Sequence, residues 1–280
     1  MKIGTLKIKN PFFLAPMHQV NDIAFRELCM KNGCGLSYTW LLHPLSREKF
    51  LLNDKPAVQI ATQSEKGVRE FIEKNDGHSA LFDLNLGCPA CKAKDQDYGA
   101  YLQKNPAMVE KILKAMKDST DHPVTVKIRK SPHIPGLIKI FERYCDAIAI
   151  HPRTAEQGYS GIPDIGFAEK LKARASIPII YSGDADENNA VSLLEKFDFV
   201  MIGRKAIGNP GIFAHLSGKK PKGSFSDYLK LAQRYSLEFQ QIRFQALNFT
   251  KGRENAGAIR KKLSFAREID GLREIMGAME

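Results

Sequence analysis

The sequence is poor in features that would place it outside the cytosol. No run approaches the ~18 consecutive apolar residues of a membrane-spanning helix. The first residues, MKIGTLKIKNPFF, alternate apolar and charged side chains and lack the apolar core of a signal peptide. The five cysteines are odd in number and irregularly spaced, unlike a disulfide framework. We therefore expect a cytoplasmic protein with reduced thiols, no membrane association and no evident obligate protein partner.

Acidic residues are also scarce: 31 Asp and Glu stand against 42 Lys and Arg, a formal net charge of +11. From residue 219 onward, thirteen basic residues face seven acidic ones, a surplus of six. Such a surplus favours a polyanionic partner, most often nucleic acid, although lysine-rich surfaces also occur in thermophilic proteins. The apolar fraction of 43% suffices for a sizeable core and excludes global disorder.

Runs with strand character alternate with helical runs up to residue 217. Eight strand-then-helix units predict an α/β fold, a (β/α)8 TIM barrel over residues 1–217, rather than an open doubly wound sheet. The preceding segment Lys2–Lys9 alternates like a hairpin and is expected to cover the barrel floor. The predicted strands are Phe12–Ala15, Leu36–Trp40, Ala57–Ala61, Leu81–Leu86, Val124–Ile128, Ala147–Ile150, Ile177–Tyr181 and Phe199–Ile202.

Helical spacing fills the intervals between these strands and most of the chain after the basic linker 217–223. Asn21 is the expected N-cap of the first helix, and a short helix or loop is expected near 46–52. A small C-terminal α-helical bundle is predicted for residues 218–280. The predicted helices are Asn21–Lys31, Ser64–Lys74, Asn105–Lys117, Ile134–Tyr144, Asp164–Ala173, Glu187–Lys196, Asn209–Leu216, Ser226–Phe239, Gln240–Lys251, Asn255–Arg267 and Asp270–Met279.

The stretch LFDLNLGCPACKAKDQDYGAYL, residues 81–102, carries the strongest chemical signal. Its first six residues predict a buried strand that ends at Gly87 and Pro89, because glycine frees the backbone and proline cannot continue a strand. Cys88 is therefore presented at a strand end, and Asn85 just before it can both donate and accept hydrogen bonds. Catalytic groups of β/α barrels lie at the carboxyl ends of the strands. Cys88 and Asn85 are our candidate catalytic residues.

Two other interpretations of Cys88 stay open. Free cysteines are often buried and inert. Cys88 and Cys91 also form a CxxC pair, which suits a metal or redox site. A zinc site needs four ligands, and the other three cysteines form no second pair. A redox dithiol would stand at a helix start, whereas the lysine-rich segment after Cys91 predicts a loop.

The ends of the other strands carry groups suited to one planar, phosphorylated ligand. Phosphates in such barrels commonly sit over the loops after strands seven and eight, where glycine N–H groups point at them. Gly183 and Gly203 stand in those two loops. The candidate ligand-binding residues are Ala15, Pro16, Met17, Gln59, Lys127, His151, Arg153, Ser182, Gly183, Asp184, Gly203 and Arg204.

Lys127 interrupts the apolar run VTVKI, where a cation is costly without a partner. A cation at this strand end suits the negative charge of a reduced flavin ring. A salt bridge or a surface lysine is the alternative, and for His151 the alternative is a satisfied core histidine. No cluster of histidines and carboxylates at the strand ends indicates a metal, so no metal site is predicted.

Six segments follow one another along the barrel: LAPMHQVNDIAFR (14–26), AVQI (57–60), DLNLGCP (83–89), PVTVKIR (123–129), IHPRTAEQGYSG (150–161) and MIGRKAIGNPGIF (201–213). They are followed by the tail AIRKKLSFAREIDGLREI (258–275). Together these segments resemble the tRNA-dihydrouridine synthase family, the tail resembling its C-terminal helical domain.

The resemblance implies a flavin mononucleotide (FMN) barrel that reduces the C5=C6 bond of selected uridines in tRNA, with NADPH or NADH reloading the flavin. It implies that Cys88 protonates C5, since free thiols hold their proton at neutral pH. Asn85 would hold the uracil edge, and Arg153 would meet the nucleotide or RNA. The implied isoalloxazine contacts are Gln59, Lys127 and His151, the implied phosphate contacts Gly183, Gly203 and Arg204, and the implied tRNA contacts of the tail Arg260, Lys261 and Lys262.

Two rival functions stay open at this point. An FMN barrel acting on a free pyrimidine, like dihydroorotate dehydrogenase, would share the phosphate loops and the strand-end cysteine. It would not need a basic helical tail. A tRNA-binding protein without catalysis would need the tail but not Cys88, Asn85 and Lys127.

Overall fold

The structure, a computed structural model, describes residues 1–48 and 50–278. Within these ranges, eight parallel strands form one sheet in the order β4-β3-β10-β9-β8-β7-β6-β5. Bridges between Tyr38 and Ala57 and between Leu42 and Ile60 join its two edges. The barrel strands are β3 (Phe12–Leu14), β4 (Leu36–Ser37), β5 (Ala57–Ile60), β6 (Leu81–Leu86), β7 (Val124–Arg129), β8 (Ala147–His151), β9 (Ile179–Tyr181) and β10 (Phe199–Ile202).

Helices cover the outside of the barrel and continue as a small bundle after residue 224, so the predicted fold class is confirmed. The barrel helices are α1 (Ile23–Lys31), α2 (Val68–Asn75), α3 (Cys91–Asp95), α4 (Pro106–Lys117), α5 (Ile134–Tyr144), α6 (Ile165–Arg174), α7 (Ala190–Leu193) and α8 (Ile212–Leu216). The C-terminal helices are α9 (Phe225–Arg234), α10 (Phe239–Phe249), α11 (Ala256–Phe265) and α12 (Ile269–Gly277). No helix of the described chain has the length and apolar character that crossing a membrane requires.

The N-terminal segment forms the expected hairpin, with β1 (Lys2–Ile3) antiparallel to β2 (Leu6–Lys7). Ile3 and Ile8 are buried with side chains from the barrel interior, among them Phe13 and Phe199, whose rings stack at 4.9 Å. The barrel is therefore filled with side chains at this end, which leaves the carboxyl ends of the strands for a ligand.

Several local predictions were wrong, the first of them at the start of α1. Asp22, not Asn21, caps α1: its Oδ1 accepts from the Phe25 N–H at 2.9 Å. Asn21 instead donates to the carbonyls of Ala15 and Tyr38, each at 2.7 Å, and so joins the first two barrel strands.

Three further segments differ from their predicted structure. The segment after Cys91 is not a loop, since it contains α3 and a 3₁₀ helix over Gly99–Lys104. The helix predicted over 187–196 is a single turn, α7. The helix predicted over 226–239 ends at Arg234, because Ser236 has a positive φ of 51° and α10 starts at Phe239. The described part of 46–52 is a loop, one of the two forms expected there. Lys49 in that segment, and Met279 at the predicted end of the last helix, lie outside the described residues.

The C-terminal helices dock on the start of α1 through a buried carboxylate. Asp22 Oδ2 accepts hydrogen bonds from Gln241 and Gln245 on α10, at 2.6 and 2.7 Å, and from the Tyr228 hydroxyl on α9 at 3.2 Å. A side chain on Gly208, in the loop after β10, would collide with the Asn248 carbonyl at the end of α10. The bundle is thus held against the end of the barrel where the candidate residues lie.

Candidate active site at the carboxyl ends of the strands

Cys88 stands directly beyond the end of β6 and is positioned by Asn85. The Asn85 Oδ1 accepts from the N–H groups of Gly87 and Cys88, at 3.1 and 2.9 Å. This side-chain-to-backbone turn fixes where the chain leaves the strand. Cys88 is half-buried, unlike the exposed Cys91 and the buried cysteines elsewhere. A thiol that is both held in place and reachable suits chemistry on a bound ligand.

The segment after the cysteines packs back onto Cys88. Gly99, with a positive φ of 62°, comes so close that a Cβ there would lie 2.7 Å from the Cys88 carbonyl oxygen and 3.0 Å from its Cβ. The Ala100 N–H donates to that carbonyl at 3.1 Å. The sequence analysis assigned Gly99 no role, yet only a residue without a side chain allows this approach.

Two buried polar side chains brace the same turn and were also missed. Arg129 Nε, at the end of β7, donates to the Gly87 carbonyl at 2.7 Å. Gln103 Nε2 donates to the Leu86 carbonyl at 2.6 Å. Arg129 ends the segment PVTVKIR, but nothing local predicts its bond to Gly87, and Gln103 lies outside the residues singled out, because each acts on a segment distant in the chain.

A chain of hydrogen bonds runs inward from Asn85 through the barrel interior. Asn85 Nδ2 donates to Gln59 Oε1 at 2.7 Å, and Gln59 Nε2 donates to Asp83 Oδ2 at 2.8 Å. Asp83 Oδ1 accepts from the Thr125 hydroxyl at 2.6 Å. The strand register produces this order, since Asp83 pairs with both Gln59 and Thr125. Gln59 thus lies beside Asn85, as a common site requires.

Lys127 is the register partner of Asn85 on the adjacent strand β7. Its ammonium has no hydrogen-bond partner among the residues that the structure describes, so the salt bridge considered for it is not formed there. Burial, and then the charge of Arg129, lower the pKa of Lys127 to about 8, while Asp83 acts in the opposite direction. An unpartnered cation held at low dielectric is a binding element for an anionic or acceptor group.

His151 lies at the end of β8, next to Arg129 in the register. Burial lowers its pKa to about 2, and the charges of Lys127, Arg129 and Arg153 act in the same direction. The imidazole is therefore neutral throughout the physiological range. It can donate or accept a hydrogen bond, but it does not supply a positive charge.

Arg153 is buried and forms its hydrogen bonds within the protein. Its guanidinium contacts the carbonyls of Ser160 and Gly161, the His151 ring and both oxygens of Asp184. This arrangement favours a role of Arg153 in fixing the loop 154–161. A direct contact of Arg153 to the nucleotide or RNA stays a prediction.

The loops after β9 and β10 meet at the rim of the barrel. The Asp184 carboxylate accepts from Arg153 and from Arg204, which holds the pKa of Asp184 below its usual range. Asp184 therefore holds the Arg204 side chain, and its own contact to a ligand stays a prediction. A Cβ on Gly183 would meet the Tyr181 hydroxyl at 2.9 Å, whereas at Gly203 it would meet only Ala15 Cβ at 3.7 Å. Ala15 and Ser182 are buried beside these glycines, and Pro16 and Met17 are partly exposed.

Tyr159 is a further residue that the sequence analysis left unassigned. The guanidinium groups of Arg129 and Arg204 each lie over its exposed ring, 5.3 Å from the ring centroid, and the His151 ring lies 5.9 Å away. The segment IHPRTAEQGYSG contains this tyrosine, but only the fold brings the two arginines to its ring.

The basic residues assigned to the tail lie on α11 and are exposed. Arg260 Nε donates to the Thr250 hydroxyl at 2.8 Å. The adjacent Lys251 donates to the Arg204 carbonyl at 2.8 Å, which links the end of α10 to the rim of the barrel. Lys261 and Lys262 present their charges to solvent.

Comparison with known proteins agrees with this geometry. The family model described as "Dihydrouridine synthase (Dus)" matches residues 13–271, which include both the barrel and the C-terminal helices. The chain belongs to the dihydrouridine synthase family. Among curated members, tRNA-dihydrouridine synthase B of Vibrio vulnificus is 30% identical over 89% of this chain and 83% of that protein. The namesake from Xanthomonas campestris pv. campestris is 34% identical over 78% of this chain and 72% of that protein.

Solved structures of other proteins share this fold. TcOYE, solved with pHBA, superposes with a TM-score of 0.58 over 81% of this chain and 94% of that chain, at 9% sequence identity. Morphinone reductase, solved with tetrahydroNAD, gives 0.56 over 81% and 92%, at 12% identity. At such identities the likeness supports the barrel architecture only.

Proposed function

We propose that this protein reduces the C5=C6 bond of uridines in tRNA to give dihydrouridine, with FMN as its cofactor and NADPH as the electron donor. Membership of the dihydrouridine synthase family supports this reaction. The observation that carries the proposal is the placement of Cys88. Asn85 holds it half-buried at the carboxyl end of β6, beside the unpartnered Lys127 ammonium.

The donor set at the strand ends fits FMN. Gly203 has no close neighbour other than Ala15 Cβ, 3.7 Å from an added Cβ, and Arg204 adds a cation at the same rim, as a phosphate requires. Lys127 and the neutral His151 suit the polar edge of an isoalloxazine ring, and Gln59 retains one N–H that Asp83 does not use. FMN bound by these residues would supply hydride chemistry at C6 of the uracil.

Cys88 would donate its proton to C5 of the same base as a general acid. Asn85 would hold the base beside the thiol, because one of its N–H groups is left after the bond to Gln59. The target uridine must leave its stack to reach this site, which costs little where the tRNA nucleotide is already unpaired.

The helices after residue 218 would bind the tRNA backbone. Their surplus of positive charge and the exposed Arg260, Lys261 and Lys262 support this assignment. On this proposal, residues 1–217 hold the flavin and residues 218–280 hold the RNA, side by side at one end of the barrel.

The test is conversion of unmodified tRNA by the purified, FMN-loaded protein with NADPH, read by mass spectrometry as a gain of about two daltons at a uridine. Cys88→Ser should keep its flavin absorbance and its tRNA affinity but lose conversion by about 10²–10⁴-fold. Cys91→Ser, three residues further on and exposed, is the matched control and should retain activity.

Two outcomes would contradict the proposal. A protein that neither retains FMN on purification nor binds it on addition is not a flavin enzyme. A protein that turns over free uridine or dihydroorotate but not tRNA acts on a free pyrimidine instead.

A further inference from the structure

Beneath the candidate site lies a carboxylate that no step of the proposed function uses. Asp83 is fully buried and stands two residues before Asn85, on the same inward face of β6. Burying an ionised carboxylate is costly unless hydrogen bonds and an opposite charge compensate it. Its burial beneath the site therefore calls for a compensating group.

The hydrogen bonds of Asp83 come from neutral groups. Thr125 donates to Oδ1 at 2.6 Å and Gln59 donates to Oδ2 at 2.8 Å. The donor-to-acceptor direction of this series of hydrogen bonds is determined at both of its ends. Backbone N–H groups at Cys88 and Gly87 require an oxygen from Asn85, and Asp83 accepts at the other end. These bonds hold the carboxylate in one place but do not neutralise it.

The charge that faces Asp83 is Lys127, across the β6–β7 pair. Lys127 pairs with Asn85 in the register, and Thr125, the partner of Asp83, precedes Lys127 by two residues on the same face of β7. The titratable groups facing Lys127 are Asp83 and Cys88 from β6 and its loop, Arg129 from β7 and His151 from β8. Of these, Asp83 is the carboxylate.

The other groups facing Asp83 carry no compensating charge. They are Tyr38 and Cys145, and burial raises the pKa of each so that both stay neutral. Burial also raises the pKa of Asp83, to about 6; the hydrogen bonds from Thr125 and Gln59 oppose that rise, and the charge of Lys127 does so as well. On the neighbouring strand β8, Ala147 pairs with Thr125 and Ala149 pairs with Lys127, and neither alanine contributes a charge.

We propose that Asp83 is a positioning residue of this site: fixed by Gln59 and Thr125, its carboxylate is the buried counter-charge that keeps the Lys127 ammonium charged at the barrel mouth. The inference rests on the proposed function only in assigning Lys127 to the polar edge of the isoalloxazine ring. Asp83 itself touches no substrate in this arrangement and acts through its charge.

Asp83→Asn isolates that charge. The asparagine can still accept from Gln59 through Oδ1 and can donate to the Thr125 hydroxyl, so the hydrogen-bonded chain is kept while the charge is lost. Thr125→Val is the matched control, because it removes a hydrogen bond to the same carboxylate and leaves the charge. The double variant Gln59→Glu/Asp83→Asn moves the charge to the neighbouring strand β5, where the introduced carboxylate can still accept from Asn85.

The readout is titration of Lys127 in the full chain, with and without added FMN. Lysines are ¹³C-methylated, the Lys127 resonance is identified by its absence in Lys127→Met, and its midpoint is followed with pH by NMR. We expect the midpoint to fall by about one pH unit in Asp83→Asn, to stay close to wild type in Thr125→Val, and to recover in the double variant.

An unchanged midpoint in folded Asp83→Asn would overturn the proposal, and so would an equal fall in Thr125→Val. If Asp83→Asn does not fold, the coupling is measured at Asp83 instead, since each of two interacting groups shifts the pKa of the other. Lys127→Met should then raise the pKa of the Asp83 carboxyl, and no change there is equally decisive. The titration midpoint of Lys127 is measured without tRNA and without turnover. Its result is therefore independent of whether the proposed reaction is correct.

Discussion

Gln245, on a helix of the C-terminal bundle, donates a hydrogen bond of 2.7 Å to Asp22, 223 residues earlier at the start of the first barrel helix. Asp22 also caps that helix. The preceding residue, Asn21, connects the first two barrel strands through its hydrogen bonds. The bundle is therefore docked on the structural element that follows the loop of Ala15, Pro16 and Met17, and its position relative to the barrel mouth is determined by buried polar contacts.

Replacing Gln245 by leucine should destabilise this junction. The change removes donors to Asp22 and to the Val20 carbonyl and leaves a buried carboxylate with fewer partners. We expect a loss of about 1–3 kcal/mol in the free energy of unfolding, measured by urea denaturation. Gln233→Leu, on an exposed position of α9, should change it by less than about 0.5 kcal/mol. Equal effects in both variants would mean that the Asp22 contact contributes nothing specific.

A methyl group on Gly99 should displace Cys88 without unfolding the barrel. The added Cβ would lie 2.7 Å from the Cys88 carbonyl oxygen, and φ is positive at this position. We expect Gly99→Ala to lower the rate of tRNA reduction by at least about tenfold while the flavin spectrum is retained. Gly136→Ala is the control, since no atom lies within 4 Å of its added Cβ and alanine favours the helix. Wild-type rates in Gly99→Ala would show that the approach of this segment is not needed to position the thiol.

Activity should decline as the pH rises through about 8. The pKa of Lys127 is lowered to about 8, so its positive charge is present below that pH and is lost above it. Lys127→Arg should move the alkaline limit of flavin reduction to higher pH, because guanidinium groups stay charged, provided that the variant retains flavin. No acidic limit from His151 is expected near neutral pH, since its pKa of about 2 keeps it neutral. A pH profile without a decline near 8 would show that the Lys127 charge is dispensable.

Neutralising the exposed positive charges of α11 should weaken tRNA binding and reduce its salt dependence. Each lost phosphate contact lowers the slope of log K against log salt by about 0.7–0.9. We expect Arg260→Gln/Lys261→Gln/Lys262→Gln to lower the slope by about 2 and to leave flavin content unchanged, as measured by filter binding at several salt concentrations.

The control is a triple variant with the same change in net charge on the outer barrel helices, Lys111→Gln/Lys139→Gln/Lys170→Gln. These lysines are exposed on α4, α5 and α6. If both triple variants lose the same affinity and slope, binding depends on net charge alone and not on the C-terminal helices.

Chain order and local patterning were enough to predict the barrel and one end of the site. Strand and helix periods are local properties, and parallel strands share one carboxyl end. Asn85, Lys127 and His151 could therefore be placed at a common rim from their positions at strand ends alone. Cys88 could be recognised for the same reason, because Gly87 and Pro89 mark the strand end in the sequence itself.

Only the tertiary structure decided which polar groups bind within the protein and which are left for a ligand. The resemblance implied that Arg153 meets the nucleotide or the RNA, which stays a prediction, and the structure shows its guanidinium bonded to His151, Asp184 and carbonyls of the next loop. Asp83, Gly99 and Asp22 lie in segments that the sequence analysis quoted, but no local pattern assigned them these roles. Their roles depend on hydrogen bonds, charges and close contacts with segments distant in the chain, and such partners exist only once the barrel has closed.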